Sequence, residues 1–334
     1  MLASTISRSS HASGIRLLDP NRDLLQVADL IEESFAGEFG PAGLAAVRDL
    51  RMMAGLSPLL WLLTRASGEF RDAFTGFVWV EDGRVVGNIS LNRSKPSSKR
   101  WHIANVAVAK AHRGKGIGRQ LVEAGLELIQ ARYGEWAILQ VRDDNPSALH
   151  IYDSLEFERL YSATELYLKG PFQGSPSSEV LEGYHIQTCR TEDWQQVRDL
   201  VIASTPAMDR WVRGFNLSDF RHTAIGRLRD LVSDAFSGTQ KTRLCALYEG
   251  QIAGYVRVQS RGWGGDALVR LHVHPDHRGK IESALIRQGT AKLKIRANQE
   301  ASVEHFTDHA AGIQALKDIG FEERRTLITM RRQL

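Results

Sequence analysis

One short pattern occurs twice in this 334-residue chain, and it constrains the fold more than any other feature. An alternating apolar run at Ile103, Val106 and Val108 leads into His112-Arg113-Gly114-Lys115-Gly116-Ile117-Gly118-Arg119. Helical spacing follows at Leu121, Val122, Gly125, Leu128 and Ile129. Val273-His274-Pro275-Asp276-His277-Arg278-Gly279-Lys280 repeats the start of the pattern, with Arg278 165 residues after Arg113. Tyr152–Phe157 aligns with Leu316–Phe321 at 164 residues, and the turn at Val80–Val85 aligns with the turn at Leu247–Ile252. Three pairs in one order, at nearly one offset, indicate an internal duplication.

Between the copies, Gly, Pro and Ser cluster from Gly170 to Ser178 and mark a linker. The expected organisation is a mobile tail (1–13), a first domain (14–169), a linker (170–180) and a second domain (181–334). The first copy reads as strand Ile15–Leu18, helix Leu24–Ser34 and a second helical region over about Leu44–Leu63. A hairpin of Phe74–Glu81 and Arg84–Leu91 turns at Asp82-Gly83, and strand Trp101–Ala109 feeds the basic loop. Helix Gly116–Arg132, strand Ala137–Val141, helix Pro146–Leu155 and strand Arg159–Leu168 complete a mixed α/β unit.

A strand, a glycine-rich basic loop and a helix form the usual backbone wrap around a phosphate group. Glycines let main-chain N–H groups approach closely, the helix N-terminus presents unpaired donors, and cations add long-range attraction. The spacing excludes two other phosphate loops. No Lys-Ser or Lys-Thr follows the glycines, and a Gly-x-Gly-x-x-Gly frame meets Arg119 or Leu121 where its last glycine belongs.

The run Arg113-x-x-Gly116-x-Gly118 resembles the coenzyme A pyrophosphate loop of the GNAT superfamily of N-acetyltransferases. The resemblance spans both halves and implies two tandem folds, each a mostly antiparallel sheet splayed near its middle and flanked by helices. It implies acetyl-CoA as co-substrate, with Arg113, Gly114, Lys115, Gly116, Ile117, Gly118 and Arg119 around the pyrophosphate. Val106, Ala107 and Val108 would lend their main chain to the pantetheine arm and thioester carbonyl. Asn145, before Pro146, is a helix N-cap and, by resemblance, a contact to the cofactor arm. Tyr152, two helical turns further along the same face, would protonate the departing thiolate. His102, with a reference pKa near 6.5, resembles the base of the arylalkylamine acetyltransferases. A relayed water and Glu38, in the loop after the first helix, are the other candidates for the base.

In the second half, Ile281 and Ser283 stand where the first has Gly116 and Gly118, Leu316 stands for Tyr152, and His309 for Asn145. That half is expected to keep the fold without the cofactor. His272, His274 and His277 lie in strand and loop dressing, and no metal is expected. The net charge of +4 suits an anionic cofactor and is too small to argue for nucleic acid. No apolar run reaches membrane-spanning length. Cys189 and Cys245 fit neither a disulfide framework nor a zinc motif, so a reducing cytoplasm is expected. Asp209–Phe215 reads as an amphipathic connection. The expected partner is a small-molecule or peptide amine, with the chain a monomer or homodimer. The alternative is a non-catalytic acyl-CoA sensor or scaffold.

Overall fold

The computed structural model of the chain describes residues 13–37, 40–55, 74–95, 98–175, 181–214, 239–260 and 266–334. Residues 1–12 of the expected tail, Glu38, residues 56–63 of the expected second helix, residues 176–180 of the expected linker and Phe215 of the expected amphipathic connection lie outside them. The chain forms two compact units, each a mixed α/β arrangement of the expected kind.

In the first unit, β1 (Gly14–Leu17) precedes α1 (Pro20–Ser34) and α2 (Pro41–Gly55). Asp19 caps α1 by accepting from Asn21 N, and Pro20 supplies the pre-set φ of the first turn. The carboxylate of buried Asp23 takes two guanidinium hydrogen bonds from Arg16, at 2.6 and 2.7 Å, and one from Asp19 N at 2.9 Å. This fixes β1 against the helix. Leu24, Val27, Ala28 and Ile31 then form the inward stripe, at the three- and four-residue spacing of a helix face.

The hairpin β2 (Gly76–Glu81) and β3 (Arg84–Arg93) turns at Asp82 and Gly83, both at positive φ (50° and 76°), which is the type I′ geometry that matches strand twist. Next come β4 (Arg100–Val108), α3 (Ile117–Ala131), β5 (Trp136–Arg142) and α4 (Pro146–Ser154). A Cβ at Gly87 would sit 3.0 Å from Ile117 and Leu121, so this glycine lets α3 lie close on the sheet.

The second unit repeats the order. β8 (Tyr184–Thr188), α5 (Trp194–Ser204) and α6 (Ala207–Arg213) precede the hairpin β9 (Gln240–Tyr248) and β10 (Gln251–Ser260). Its turn, Glu249-Gly250, has the same paired positive φ (49° and 78°). β11 (Ala267–Val273), α7 (Glu282–Thr290), β13 (Glu300–Phe306), α8 (Ala310–Lys317) and β14 (Glu322–Gln333) follow. Gly254 takes the part of Gly87, since a Cβ there would meet Ile281 and Leu285 at 2.6 Å. The two-residue strands β7 (Phe172–Gln173) and β12 (Lys294–Ile295) pair with each other.

At two places the compact units depart from the expected domain boundaries. β6 (Glu158–Lys169) was expected to close the first domain. From Leu160 onward it belongs to the second unit, antiparallel to β13 from Lys169↔Glu300 to Ala163↔Phe306. The chain end, Thr329–Leu334, belongs instead to the first unit. There Gln140 Nε2 donates to Thr329 Oγ1, the Arg331 guanidinium lies 4.7 Å over the Trp136 ring, and Leu334 N donates to Glu135 O. The physical reason is local equivalence. β6 and β14 are both 12-residue strands that follow a short helix and a phenylalanine, so strand propensity does not choose which neighbouring strand each one pairs with.

The reading of the cysteines is also corrected. Cys189 and Cys245 form a disulfide, with Cα atoms 5.1 Å apart. Pairing of β8 with β9 sets Gln187 opposite Cys245 and brings Cys189 alongside, a juxtaposition that a separation of 56 residues does not reveal. With both cysteines paired, they give no reason to expect a reducing compartment. No helix among the described residues is long and apolar enough to cross a membrane.

Candidate active site

The first unit's site is built where β4 leaves β5. The two strands pair in parallel from Arg100↔Trp136 to Ile103↔Leu139 and no further. Beyond that point Asn105 adopts φ 52°, a bulge that shifts the register against β3 between Asn88 and Ser90. The buried Asn88 side chain holds it, with Nδ2 donating to Asn105 O at 2.9 Å. Ala107 faces the α1 core, while Val106 and Val108 are half-buried. The parted strand is the one assigned by resemblance to the cofactor arm. Asn105 and Asn88 were missed, because an asparagine in a strand pattern carries no visible sign of a bulge.

A single 3-10 turn (Lys110–His112) leads from β4 into the loop. Gly114 and Gly116 take φ 78° and 77°, a region that costs other residues about 1–2 kcal/mol. A Cβ on Gly114 would meet nothing within 4 Å, and one on Gly116 would meet only the Gln120 side-chain end, at 3.7 Å. The space in front of both is therefore open. Gly116 caps α3 without a side chain, and none of the backbone N–H groups from Gly114 to Arg119 donates to an acceptor among the described residues. These donors and the helix dipole form an anion cradle.

The side chains around the cradle are partly engaged. Arg113 Nε donates to Val108 O at 3.0 Å, tying the loop back to the strand. Lys115 Nζ lies 3.9 Å from Glu81, and His112 Nε2 lies 3.3 Å from the same carboxylate. Arg119 bonds Glu123 at 2.8 Å and Ser154 Oγ at 2.7 Å, joining α3 to α4. Asn145 caps α4 through Oδ1 to Ala148 N at 3.1 Å.

Tyr152 on α4 is 6% exposed and packs edge-to-face on Phe157, with ring centroids 5.6 Å apart. Its hydroxyl makes no hydrogen bond among the described residues, and burial pushes its pKa up to about 12. The proton stays on at neutral pH and is available for donation. His102 lies on the part of β4 still paired to β5, with Nε2 2.8 Å from Ser94 Oγ. Burial, helped by Arg100, lowers its pKa, so the ring is neutral and able to accept a proton.

The second loop has a different interior. Gly279 keeps φ 81°, but Ile281 is fully buried in the core at φ −125°. The buried Glu282 carboxylate accepts from Gly279 N at 2.7 Å and from Ile281 N at 3.1 Å. His309 Nε2 lies 2.7 Å from Glu282, and His309 Nδ1 lies 2.9 Å from His305 Nε2. Burial raises the Glu282 pKa, but the bonds from His309 and the two amides outweigh it and hold it below the usual carboxylate range. No group of three or more His, Cys, Asp or Glu placed to hold a metal occurs among the described residues.

A model of the Acetyltransferase (GNAT) family matches residues 42–157 and again residues 205–321, more than half of the chain. The chain belongs to the acetyltransferase (GNAT) family. Both GNAT copies carry one of the basic loops described above. A crystal structure of a GCN5-related N-acetyltransferase from Sphaerobacter thermophilus superposes with a TM-score of 0.60 at 17% identity, covering 96% of this chain and 95% of that one. A tandem GNAT protein from the clavulanic acid biosynthesis pathway gives 0.52 at 20%, covering 96% and 98%. At such identities these neighbours speak for the tandem fold.

Among curated relatives, the N-alpha-acetyltransferase 30 of Schizosaccharomyces pombe is 29% identical over 96 residues, 28% of this chain. The mycothiol acetyltransferase of Mycolicibacterium vanbaalenii is 34% identical over 122 residues, 30% of this chain. The matches cover 64% and 40% of those proteins. GNAT proteins use acetyl-CoA, and the first unit's open cradle, uncapped helix and parted strand fit a pyrophosphate followed by a narrow arm.

Proposed function

We propose that the first unit transfers the acetyl group of acetyl-CoA to a primary amine by direct attack in a ternary complex. The observation that carries this reading is the row of backbone N–H groups from Gly114 to Arg119, unclaimed among the described residues, in the loop that follows the parted strand β4, with buried Tyr152 on the helix α4 that Arg119 ties to α3. When bound, acetyl-CoA supplies an activated thioester carbonyl. The loop amides hold its pyrophosphate, with Arg113, Lys115 and Arg119 adding positive charge. The main chain of Val106, Ala107 and Val108 orients the arm and polarises the carbonyl. Asn145, exposed beside the same helix as Tyr152, contacts the arm.

The amine reaches the site protonated and must lose a proton before it attacks. Neutral His102, or a water relayed to it, accepts that proton. Tyr152 gives its proton to the departing sulfur, and its raised pKa keeps the proton in place until that charge develops. The acceptor is a small-molecule or peptide amine, which the relatives named for N-alpha and mycothiol acetylation support. In the second unit, we infer, Glu282 occupies the phosphate position, so that unit carries the fold without the cofactor.

The test is thiol release from acetyl-CoA across a panel of small amines and peptide N-termini, with the wild type beside Tyr152→Phe. Amine-dependent release that falls in the variant supports transfer. Tight acetyl-CoA binding with no release on any amine supports a sensor instead.

A further inference from the structure

Three adjacent strands of the second unit carry an arginine at one register. Arg257 on β10 is directly opposite Arg243 on β9 and Arg270 on β11. Like charges set directly opposite each other across a sheet are destabilising. Two residues along, the same sheet face carries Cys245, Tyr255 and His272, again in register. Burial raises the Tyr255 pKa, while Arg243, Arg257 and Arg270 all pull it down, so the three guanidinium groups share one space around its ring.

That space is a cavity of about 460 Å³ between this sheet face and the helices α5 and α6. Among the described residues its lining holds the three arginines of this row together with Arg190, Arg210 and Arg213, and the carboxylates of Asp209 and Glu304. Arg213 binds both acids, at 2.9 and 3.0 Å. The cluster is particular to this unit. At the corresponding register the first unit pairs Gly76, Ser90 and Ala104. A row of forked guanidinium groups at strand spacing matches the oxygens of phosphate or carboxylate groups.

We propose that this cavity is a binding site for a small organic polyanion, whose phosphate or carboxylate groups bridge Arg243, Arg257 and Arg270. The site lies on the α5 and α6 side of the sheet, and its lining residue His305 is joined to the second loop through His309 and Glu282. It requires no cofactor there, and it is independent of the acetyl-transfer reading of the first unit.

The experiment is calorimetric titration with inorganic pyrophosphate and, separately, citrate, on full-length protein already saturated with acetyl-CoA. Arg257→Gln and Arg270→Gln are compared with the wild type. One saturable site is expected in the wild type, weakened about tenfold or more by either substitution. Pyrophosphate binding assigns phosphate recognition, and citrate binding assigns carboxylate recognition. Arg257 is half-buried, so thermal unfolding at low salt provides the second measurement. The probe is expected to raise the wild-type melting temperature and to leave Arg270→Gln, altered at an exposed position, nearly unmoved. No saturable binding by either probe overturns the proposal. So does binding unaffected by Arg257→Gln and Arg270→Gln.

Discussion

The two basic loops begin with the same His-Arg-Gly-Lys string and become different electrostatic objects. In the first, two glycines at positive φ leave the amides from Gly114 to Arg119 facing open space, and the helix behind them has no side-chain cap. In the second, the next glycine position is Ile281, whose side chain fills the core, and Glu282 turns back onto the amides of Gly279 and Ile281. One loop leaves its amides without a protein acceptor among the described residues, and the other supplies a carboxylate from its own sequence. The same cation string therefore stands in two different settings, and the residues just after it make the difference.

The largest effect on this contrast is expected from Gly116→Ile. A β-branched residue at φ 77° is strained, and its side chain would enter the cradle, so saturable acetyl-CoA binding should be lost in calorimetry. Ile281→Gly should not create a second site while Glu282 remains. Tyr152→Phe should lower turnover by about 10²-fold and leave acetyl-CoA affinity nearly unchanged, as steady-state kinetics and titration together would read.

Acid should separate the units next. Burial lowers His272 to about 4 and His305 to about 3. The unfolded chain takes up these protons near pH 6.5 and the folded second unit does not, so stability falls as pH drops from 6.5 toward 4. Each histidine contributes about 1.4 kcal/mol per pH unit in that window, measurable by urea unfolding at stepped pH. His102 acts in the same direction in the first unit. Glu282→Ala removes the acceptor of two amides and of buried His309, and should cost about 1–3 kcal/mol without changing acetyl-CoA stoichiometry.

The smallest effect concerns the turns after α4 and α8. Glu156 sits at φ 59° where the second unit has Gly320 at 107°. Glu156→Gly should raise the stability of the first unit by about 1 kcal/mol, with a matching rise in melting temperature. A loss of stability would mean that the Glu156 side chain contributes more than its backbone strain costs.

Much of this was legible in the sequence because it is local. The loop glycines, the Asp82-Gly83 turn, the Asn145-Pro146 cap and the apolar face bearing Tyr152 each depend on residues a few positions apart. The Glu156-Phe157 pair, standing where Gly-Phe is usual in the resembling family, marked a turn that proves to hold a strained residue. What escaped depends on register between distant strands. The Cys189–Cys245 pair, the arginine row and the exchange of β6 and β14 all arise from which strand lies beside which. The Asn105 bulge escaped for another reason, since nothing in its residue type requires φ 52°. The Glu282 cap needed knowledge that Ile281 is drawn into the core, which frees the following side chain to reach back.

The contrast between an open loop and a self-occupied one is tested most directly by the stoichiometry of acetyl-CoA binding to the full chain in calorimetry. One site per chain is expected, abolished by Gly116→Ile and untouched by Glu282→Ala. Two sites would show that Glu282 yields to the cofactor, and no site would show that the first cradle does not hold it; either result would overturn the contrast.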